Sequence, residues 1–351
     1  MAVGAEPTAA QLQAARDLLC MDLIGEFPFV GQTERAHAVA LLLLPFVRDL
    51  IDGPTPLHLI EKPTAGTGGS LLADVLLRPA LGRTLSVMTA GREADEWRKR
   101  ITAVLSESPV AVLFDNMRRL DSDDLSAALT ARVWKDRRLG ATCVVHLPVR
   151  CAWIATANNP ALTFEVMRRT VRIRLDAGLD RPWLRDGFRH PDLAAWATAH
   201  RGPLVAAALT LVQCWLARGR PDGTHPLLGT YEVWSRVLGG ILETAGILGF
   251  LSNLATFYED VVDTETQAWH ALVAAWWARY ASEPVGVQEI WALLQEESGI
   301  DLDLGDKGER SQRTRLGRRL TQLRDRPFGG RRLVRGGERK RAQQWRLVDL
   351  G

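Results

Sequence analysis

The stretch from residue 57 to residue 72 holds the pattern with the clearest chemical meaning. A short apolar run gives way to a glycine-rich segment, and Ser70 then opens an apolar pattern with helical spacing that extends through Leu77. This order predicts a strand, a turn and a helix. Such a turn directs several backbone N–H groups at one point, and the helix dipole adds partial positive charge there, so the turn can hold a polyphosphate.

The turn matches the phosphate-binding motif GxxxxGK[ST] only in part. Gly68 and Ser70 match its second glycine and its Mg²⁺-binding hydroxyl, whereas Pro63 replaces the first glycine and Gly69 replaces the lysine. The predicted cradle therefore lacks its usual cation, and Lys62 either reaches back toward the phosphates or lies on the surface. On this motif alone, an ordinary glycine-rich turn is the alternative interpretation.

A candidate metal ligand follows the continuous apolar run 109–114, which is typical of a buried parallel strand. In P-loop enzymes the carboxylate at the end of such a strand holds Mg²⁺, so Asp115 is predicted to act together with Ser70. The alternative is an aspartate that caps a helix predicted over 121–134. Asn116 stands where a carboxylate that activates the attacking water is usual.

Two polar pairs follow downstream. A strand-like run ends at Asn158 and Asn159, where a neutral amide can hydrogen-bond a γ-phosphate, although Asn-Asn-Pro is also a common turn signal. Arg168 and Arg169 directly precede a strand predicted over 170–175. Arginines in that position can stabilise a phosphoryl group bound by a neighbouring subunit, and the alternative is a solvated pair.

The elements that position these groups belong to a chain of 351 residues with 46% hydrophobic content and twelve Trp, enough for two or three domains with sizeable cores. The longest apolar run is too short to span a membrane, and the N-terminus lacks a signal-peptide pattern. The four Cys form no CxxC pair. We therefore expect a cytoplasmic protein with no membrane partner, zinc site or disulfide framework.

The net charge of +3 conceals a strong asymmetry. From Lys307 to Arg346, fifteen Lys or Arg stand against three acidic residues, a local charge of +12 that leaves −9 for the remainder. The same region predicts a helix over 287–298, a basic helix over 311–325 and a hairpin, a combination typical of a winged-helix domain that binds DNA. The alternative is a charged, solvated helix end. The predicted DNA contacts are Arg310, Arg313, Arg315, Arg318, Arg319, Arg331, Arg332 and Arg335.

Taken together, the cradle, the strand aspartate, the strand asparagines and the arginine pair resemble the core of an AAA+ ATPase, and the asparagine motif also resembles that of superfamily III helicases. The whole chain resembles bacterial mobile-element or phage-type ATPases related to primase–helicase proteins. The motifs that carry this resemblance are Val112–Asn116, Trp153–Asn159, Arg168–Arg169 with Ile173–Asp176, Arg181–Leu193 and Glu309–Gly330.

The resemblance implies an α/β P-loop NTPase core, AAA+-like, with a parallel sheet and flanking helices over residues 55–176. It also implies an N-terminal helical segment (1–54), a helical lid (177–281) and a winged-helix domain (284–351). Because an arginine finger acts only across subunits, a ring or dimer is expected. DNA is the expected partner, with a primase or other replication protein as a further one.

The resemblance also assigns the site. ATP is expected on Lys62, Gly66, Thr67, Gly68, Gly69, Ser70 and Leu71, with Mg²⁺ on Ser70 and Asp115. The expected catalytic residues are Asp115, Asn116, Asn158, Asn159, Arg168 and Arg169.

Two classes of function fit these expectations. The leading one is an ATP-binding, DNA-dependent ATPase or helicase-type factor in the replication of mobile-element or phage DNA. A missing cradle lysine should cost several kcal/mol of transition-state stabilisation, so its absence should reduce hydrolysis more than binding. The competing class is a catalytically inactive P-loop scaffold that serves as a DNA-binding adaptor or transcriptional regulator through its winged helix.

Overall fold

The computed structural model describes residues 3–89, 94–137, 143–260, 264–297, 300–302, 304, 308–339 and 342–350. The chain divides into two compact units, Met1–Val261 and Val262–Gly351. This division falls earlier than the boundary predicted between residues 281 and 284. Within the described ranges, no helix combines the length and the apolar composition that crossing a membrane requires.

The first unit alternates helices with strands, an order that favours a parallel sheet. Its helices are α1 (Ala9–Asp17), α2 (Gln32–Val47), α3 (Gly69–Leu81), α4 (Ala94–Ser106), α5 (Asp123–Thr130), α6 (Phe164–Met167), α7 (Leu193–Ala199), α8 (Arg201–Ala217), α9 (Glu232–Thr244) and α10 (Leu254–Asp260). Its strands are β1 (Leu57–Lys62), β2 (Val87–Met88), β3 (Ala111–Leu120), β4 (Val133–Arg137), β5 (Val144–Pro148), β6 (Ala152–Leu162) and β7 (Thr170–Arg174).

Five of these strands form one parallel sheet in the order β2-β3-β6-β1-β7. Side chains alternate between its two faces, so Ile60 and Ile154 pack into the core that α2, α3, α8 and α9 complete, whereas Leu59 and Trp153 pack with α4 and α5. A parallel sheet covered by helices on both faces is the architecture of an α/β P-loop NTPase, as predicted. The carboxyl ends of all five strands meet at one edge, where such sheets bind ligands.

Strands β3 and β6 are longer than predicted. β3 continues through Asp115 with a register irregularity after Phe114, and Asn116 has a positive φ of 56°. β6 likewise continues through Asn158. The prediction that Asp115 and the asparagines end their strands is therefore wrong, because a bulge in β3 redirects the chain without ending the pairing.

The helix predicted over 121–134 is also wrong in its second half. Helix α5 ends at Thr130, and β4 then pairs with β5 in a separate antiparallel hairpin. Trp134 of β4 is buried, and its indole Nε1 donates a hydrogen bond to Thr102 Oγ1 at 2.8 Å. Packing of Trp134 against α4 thus overrides the helical spacing of the local sequence.

The second unit consists of α11 (Thr264–Tyr280), β8 (Val285–Gly286), α12 (Val287–Glu296), α13 (Glu309–Gln322), β9 (Pro327–Phe328), β10 (Arg331–Arg339) and β11 (Ala342–Asp349). Its strands form an antiparallel sheet in the order β8-β11-β10-β9. Helix α13 is the predicted basic helix, and β10 with β11 is the predicted hairpin. Leu316 and Leu320 of α13 are buried against Trp276 and Trp345, which leaves most of its arginines outside the core.

Candidate nucleotide site and basic groove

The glycine turn between β1 and α3 forms a short backbone cradle. Gly66 and Gly68 have φ values of 82° and 95°, a region that residues with a Cβ rarely adopt. The buried Thr67 donates a hydrogen bond from Oγ1 to the Thr64 carbonyl at 2.7 Å, which closes the turn. Because α3 begins at Gly69, the backbone amides of its first turn have no acceptor within the helix and can serve an anion.

The predicted metal ligands meet beside this cradle. Ser70 Oγ donates a hydrogen bond to Asp115 Oδ1 at 2.7 Å, although 45 residues separate them in sequence. Thr156 Oγ1 donates to the same carboxylate oxygen at 2.5 Å and accepts from the backbone N–H of Asn116 at 2.8 Å. Thr156 is fully buried and was missed by the sequence analysis. Its one sequence signal is that it precedes Asn158 by two positions on a strand, which places both on the same face.

The asparagine pair lies at the carboxyl edge of the sheet with the cradle. Asn158 of β6 is paired in register with Lys62, the last residue of β1, directly before the glycine turn. Both Asn158 and Asn159 are exposed, and Asn159 has a positive φ of 38°. The sheet register therefore brings a neutral, accessible amide next to the strand that carries the cradle.

Lys62 lies inside the site and points at the start of α3. Its Nζ lies 3.2 Å from the position that a Cβ on residue 69 would occupy, and its Cδ lies 3.4 Å from the same point. The residue is only 7% exposed. Burial lowers the pKa of the Lys62 ammonium, and the negative charge of Asp115 opposes this effect. The structure thus puts the cation close to the position from which the usual cradle lysine is missing.

An aromatic cavity of about 240 Å³ opens beside the cradle. Its walls include Gly66, Phe27, Trp183, Phe188 and His190. A Cβ on Gly66 would come within 2.9 Å of the Trp183 Cβ, so the loop packs directly on the indole. The sequence analysis assigned no function to these aromatic residues.

The segment that carries Trp183 is tied to the N-terminal part of the unit through Glu26. The backbone amide of Arg189 donates to both carboxylate oxygens of Glu26 at 3.0 Å, and Arg185 Nη2 donates to the Glu26 carbonyl at 2.9 Å. Arg189 also forms an ion pair with Asp22. These contacts hold one wall of the aromatic cavity in place.

The arginine pair lies at the opposite end of the strands. The Arg169 carbonyl accepts from the amide of Leu57, the first residue of β1, whereas the cradle follows the last. With five to six residues per strand, the two ends are separated by roughly 17–20 Å. Glu165 binds both guanidinium groups, and these hydrogen bonds hold the pKa of Glu165 below its usual value. Arg168 is 45% exposed and Arg169 is 14% exposed, so Arg168 is the more accessible of the two.

In the second unit, a basic groove of about 790 Å³ runs between α13, the first turn of α12 and the β10–β11 hairpin. Three arginines line it, namely Arg310, Arg313 and Arg339, together with Thr314 and Gln343. Gly317 also lines the groove, and a Cβ at this position would lie 3.5 Å from the Val287 Cγ2. Arg339 was not among the predicted DNA contacts, although it lies in the same basic segment.

The other predicted arginines are divided between internal and exposed positions. Arg315 donates from Nη1 to the Leu304 carbonyl at 2.9 Å, and the Arg331 guanidinium lies 4.8 Å from the centre of the Trp277 ring. These two have internal partners that limit their use for a ligand. Arg318, Arg332 and Arg335 are exposed, and Arg319 is half-buried.

The chain matches no protein-family model, and no curated protein matches it. Among solved structures, the C-terminal region of NrS-1 in its apo form is similar over 98% of this chain and 76% of that one, with 12% identity and a TM-score of 0.46. The active helicase SCCmec type IV Cch is similar over 98% and 70%, with 11% identity and a TM-score of 0.40. A JCV helicase is similar over 71% of this chain and 72% of the helicase chain, with 13% identity and a TM-score of 0.27.

Proposed function

We propose that this protein binds ATP with Mg²⁺ on its first unit and DNA on its second, and that it acts as a helicase-type, DNA-dependent ATPase in DNA replication. The motifs that resemble mobile-element and phage ATPases favour replication of such an element as the setting. The observation that carries the proposal is the contact of Ser70 with Asp115 beside a glycine cradle. Two residues from separate elements meet there as the motif for metal-bound polyphosphate requires.

The residues fit the proposed ligand. Mg²⁺ prefers oxygen ligands and is usually held by one or two carboxylates together with substrate phosphates, and Ser70 and Asp115 supply such oxygens. In the described part of the chain no cluster of three or more His, Cys, Asp or Glu forms a metal site, which is consistent with an ion that arrives on the nucleotide. The bound Mg²⁺ would neutralise phosphate charge, and Thr156 would orient the Asp115 carboxylate through its hydrogen bond.

The aromatic cavity is the proposed site of the nucleobase. It adjoins Gly66, and its Trp183 and Phe188 offer flat apolar faces on which a base can stack. A ligand that spans the cavity and the cradle has an aromatic base at one end and phosphates at the other. This arrangement favours a nucleotide over an inorganic polyphosphate as the natural ligand.

Slow hydrolysis is expected. Asn116 replaces the usual carboxylate next to Asp115, and an amide does not accept the proton of an attacking water. Asn158 would hydrogen-bond the terminal phosphate or orient the water from the neighbouring strand. The described site thus retains groups that bind and position, and Asn116 stands where fast P-loop enzymes have their general base.

We propose that Arg168 acts in a second copy of this chain, within a ring or dimer. The separation of roughly 17–20 Å between the two ends of the strands excludes Arg168 from the cradle of its own subunit. Its 45% exposure leaves it accessible to a neighbour. An arginine supplied across an interface stabilises the charge of the transferred phosphoryl group.

For DNA we propose a winged-helix module formed by α12, α13 and the β10–β11 hairpin, with residues 177–260 serving as a helical lid on the first unit. The basic groove supports this proposal, since Arg310, Arg313 and Arg339 converge on one surface. Such a surface binds phosphate oxygens, and its contribution to affinity depends on salt. A primase or another replication protein is a further proposed partner.

The deciding experiment follows ATP hydrolysis and nucleotide binding on the full-length protein, with and without single-stranded and double-stranded DNA. We expect Mg²⁺-dependent binding and a turnover rate that rises with DNA. In mixtures, Asp115→Asn and Arg168→Ala proteins should be nearly inactive alone and should regain turnover together, because each supplies the group that the other lacks. Nucleotide binding that is absent with or without Mg²⁺ would instead favour the DNA-binding adaptor, and failure of the mixture to regain turnover would contradict the shared site.

A further inference from the structure

This inference rests on the proposed nucleotide site and identifies its missing cation. We infer that Lys62, at the end of β1, supplies the positive charge of the phosphate cradle, and that Gly69 is glycine in order to leave room for it. The charge would then reach the phosphates from the strand before the loop and not from the helix after it.

The space around residue 69 is the first support. In the usual motif the lysine at this position extends from a Cβ, but here the Nζ and Cδ of Lys62 and the Cγ2 of Ile60 lie only 3.2–3.4 Å from where that Cβ would be. Contacts of this length are tighter than ordinary van der Waals contact. A side chain on residue 69 and the present side chain of Lys62 therefore compete for one volume, and the chain has only one of them.

The isolation of the Lys62 charge is the second support. Within the part of the chain that the structure describes, its ammonium makes no hydrogen bond and no ion pair, although the residue is 7% exposed. A charge that is partly removed from water and has no hydrogen-bonding partner is unfavourable, and a ligand can supply that partner. Asp115 contributes favourable charge, but its Oδ1 already accepts from Ser70 and Thr156.

The position of this charge defines the class of ligand. The ammonium stands between the first turn of α3, whose amides are directed outward, and the part of β6 where Asn158 pairs with Lys62. The first-turn amides of α3 can donate to a ligand in this space, and a divalent ion would occupy the Asp115 carboxylate beside it. The oxygens of a metal-bound polyphosphate group would pair with the ammonium and the amides, and its metal ion would pair with the Asp115 carboxylate. An uncharged ligand would leave the ammonium unpaired.

The test uses the full-length protein and the variant Lys62→Met, which keeps the length of the side chain and removes its charge. We expect MgATP affinity, measured by titration calorimetry, to fall at least about tenfold, since hydrogen bonds to charged groups are among the stronger ones. Inorganic tripolyphosphate binding should fall similarly, while adenosine binding should not change. Lys99→Met, at an exposed lysine of α4, is the matched control and should leave all three affinities as they are.

The melting temperature without nucleotide separates loss of a ligand contact from loss of folding. Lys62→Met should melt at or above the wild-type temperature, because it removes a largely buried ammonium that makes no hydrogen bond or ion pair with the described residues. Reduced affinity in a protein at least as stable as the wild type supports the inference. A lower melting temperature would contradict it, since the ammonium would then have a stabilising partner within the protein.

Moving the charge provides the final test. Lys62→Ala with Gly69→Lys vacates the volume and supplies a lysine by the usual route, so the double variant should bind MgATP more tightly than Lys62→Ala alone. Gly69→Lys by itself should bind less tightly than the wild type, because two ammonium groups would share one volume. Unchanged MgATP affinity in Lys62→Met overturns the role of Lys62 and leaves the proposed function intact, whereas a wild type that binds no nucleotide overturns the proposed function.

Discussion

The cradle edge of the first unit, formed by the glycine turn with Lys62, Ser70, Asp115 and Thr156, and the basic groove of the second unit are both proposed to bind phosphate groups. The two sites are built in opposite ways. At the cradle edge, residues from β1, α3, β3 and β6 meet in a partly buried cluster, and Ser70 and Thr156 share one oxygen of Asp115. In the groove, arginines of a single basic segment line an open surface. Single substitutions in a shared, buried cluster should greatly reduce ligand affinity or turnover. Single substitutions of exposed charges should reduce ligand affinity in small, nearly additive steps.

The largest effect is expected at Asp115. Asp115→Asn keeps the shape of the side chain and removes the charge that would hold Mg²⁺, so turnover should fall by on the order of 100-fold. The dependence of ATP affinity on Mg²⁺ should also disappear, which calorimetry with Mg²⁺ and with EDTA would measure. Asp121→Asn, at an exposed residue that follows the same strand, should change neither quantity. Equal losses of turnover and of Mg²⁺ dependence in both variants would mean that Asp115 has no specific role in binding the metal.

A smaller effect is expected at Trp183, which is 57% exposed in the wall of the aromatic cavity. Trp183→Ala should reduce ATP affinity by about 1–3 kcal/mol, the range for a base stacked on an aromatic ring. Tripolyphosphate binding should be unaffected, because that ligand has no base. Leu184→Ala changes a more exposed neighbour outside the cavity wall and serves as the control. A loss of tripolyphosphate binding in Trp183→Ala would mean that Trp183 supports the glycine turn and does not recognise the base.

Arg310 and Arg313 test the groove. Each substitution to Ala should lower DNA affinity modestly and reduce the slope of log K against log salt by about 1, the expected loss for one phosphate contact. The two effects should add. Arg279→Ala, which removes a guanidinium paired with Glu296 in the same unit, should leave the salt slope unchanged. Fluorescence anisotropy over a salt series would measure both quantities. If the two substitutions together changed DNA affinity by much more or less than the sum of their single effects, the groove would not consist of independent exposed charges.

The last predicted effect concerns pH and belongs to the first unit. Burial lowers the pKa of His37 to about 4 and that of His58 to about 3, where the charge of His37 contributes further. The unfolded chain binds these protons near pH 6.5, so the free energy of unfolding should be constant above that pH. It should fall as the pH drops from 6.5 toward 4.

His58→Phe removes one of these groups while keeping an aromatic ring beside Trp234. In denaturant titrations, the acid-dependent loss of unfolding free energy should become shallower by up to about 1.4 kcal/mol per pH unit. An unchanged pH dependence in His58→Phe would mean that another group causes the acid sensitivity.

The sequence alone predicted the parts of this protein that depend on local pattern. The strand, glycine turn and helix at residues 57–77, the parallel α/β sheet, the basic helix α13 and the β10–β11 hairpin all follow from apolar spacing, from the special backbone freedom of glycine and from charge density. The same reasoning selected Ser70 and Asp115 in advance, because their motif positions relative to the strands can be read along the chain.

Only the tertiary structure decided the rest, because it depends on contacts between residues far apart in sequence. Trp134 joins β4 through its packing on α4, and the bulge in β3 turns the chain at Asn116 without ending the strand. Thr156 enters the site because β6 lies beside β3, and Lys62 meets Gly69 because the turn folds back on its own strand. The spacing of residues along a chain determines the periodicity of each helix and strand, but it does not determine how far apart these elements lie. The chemistry of this site depends on those distances.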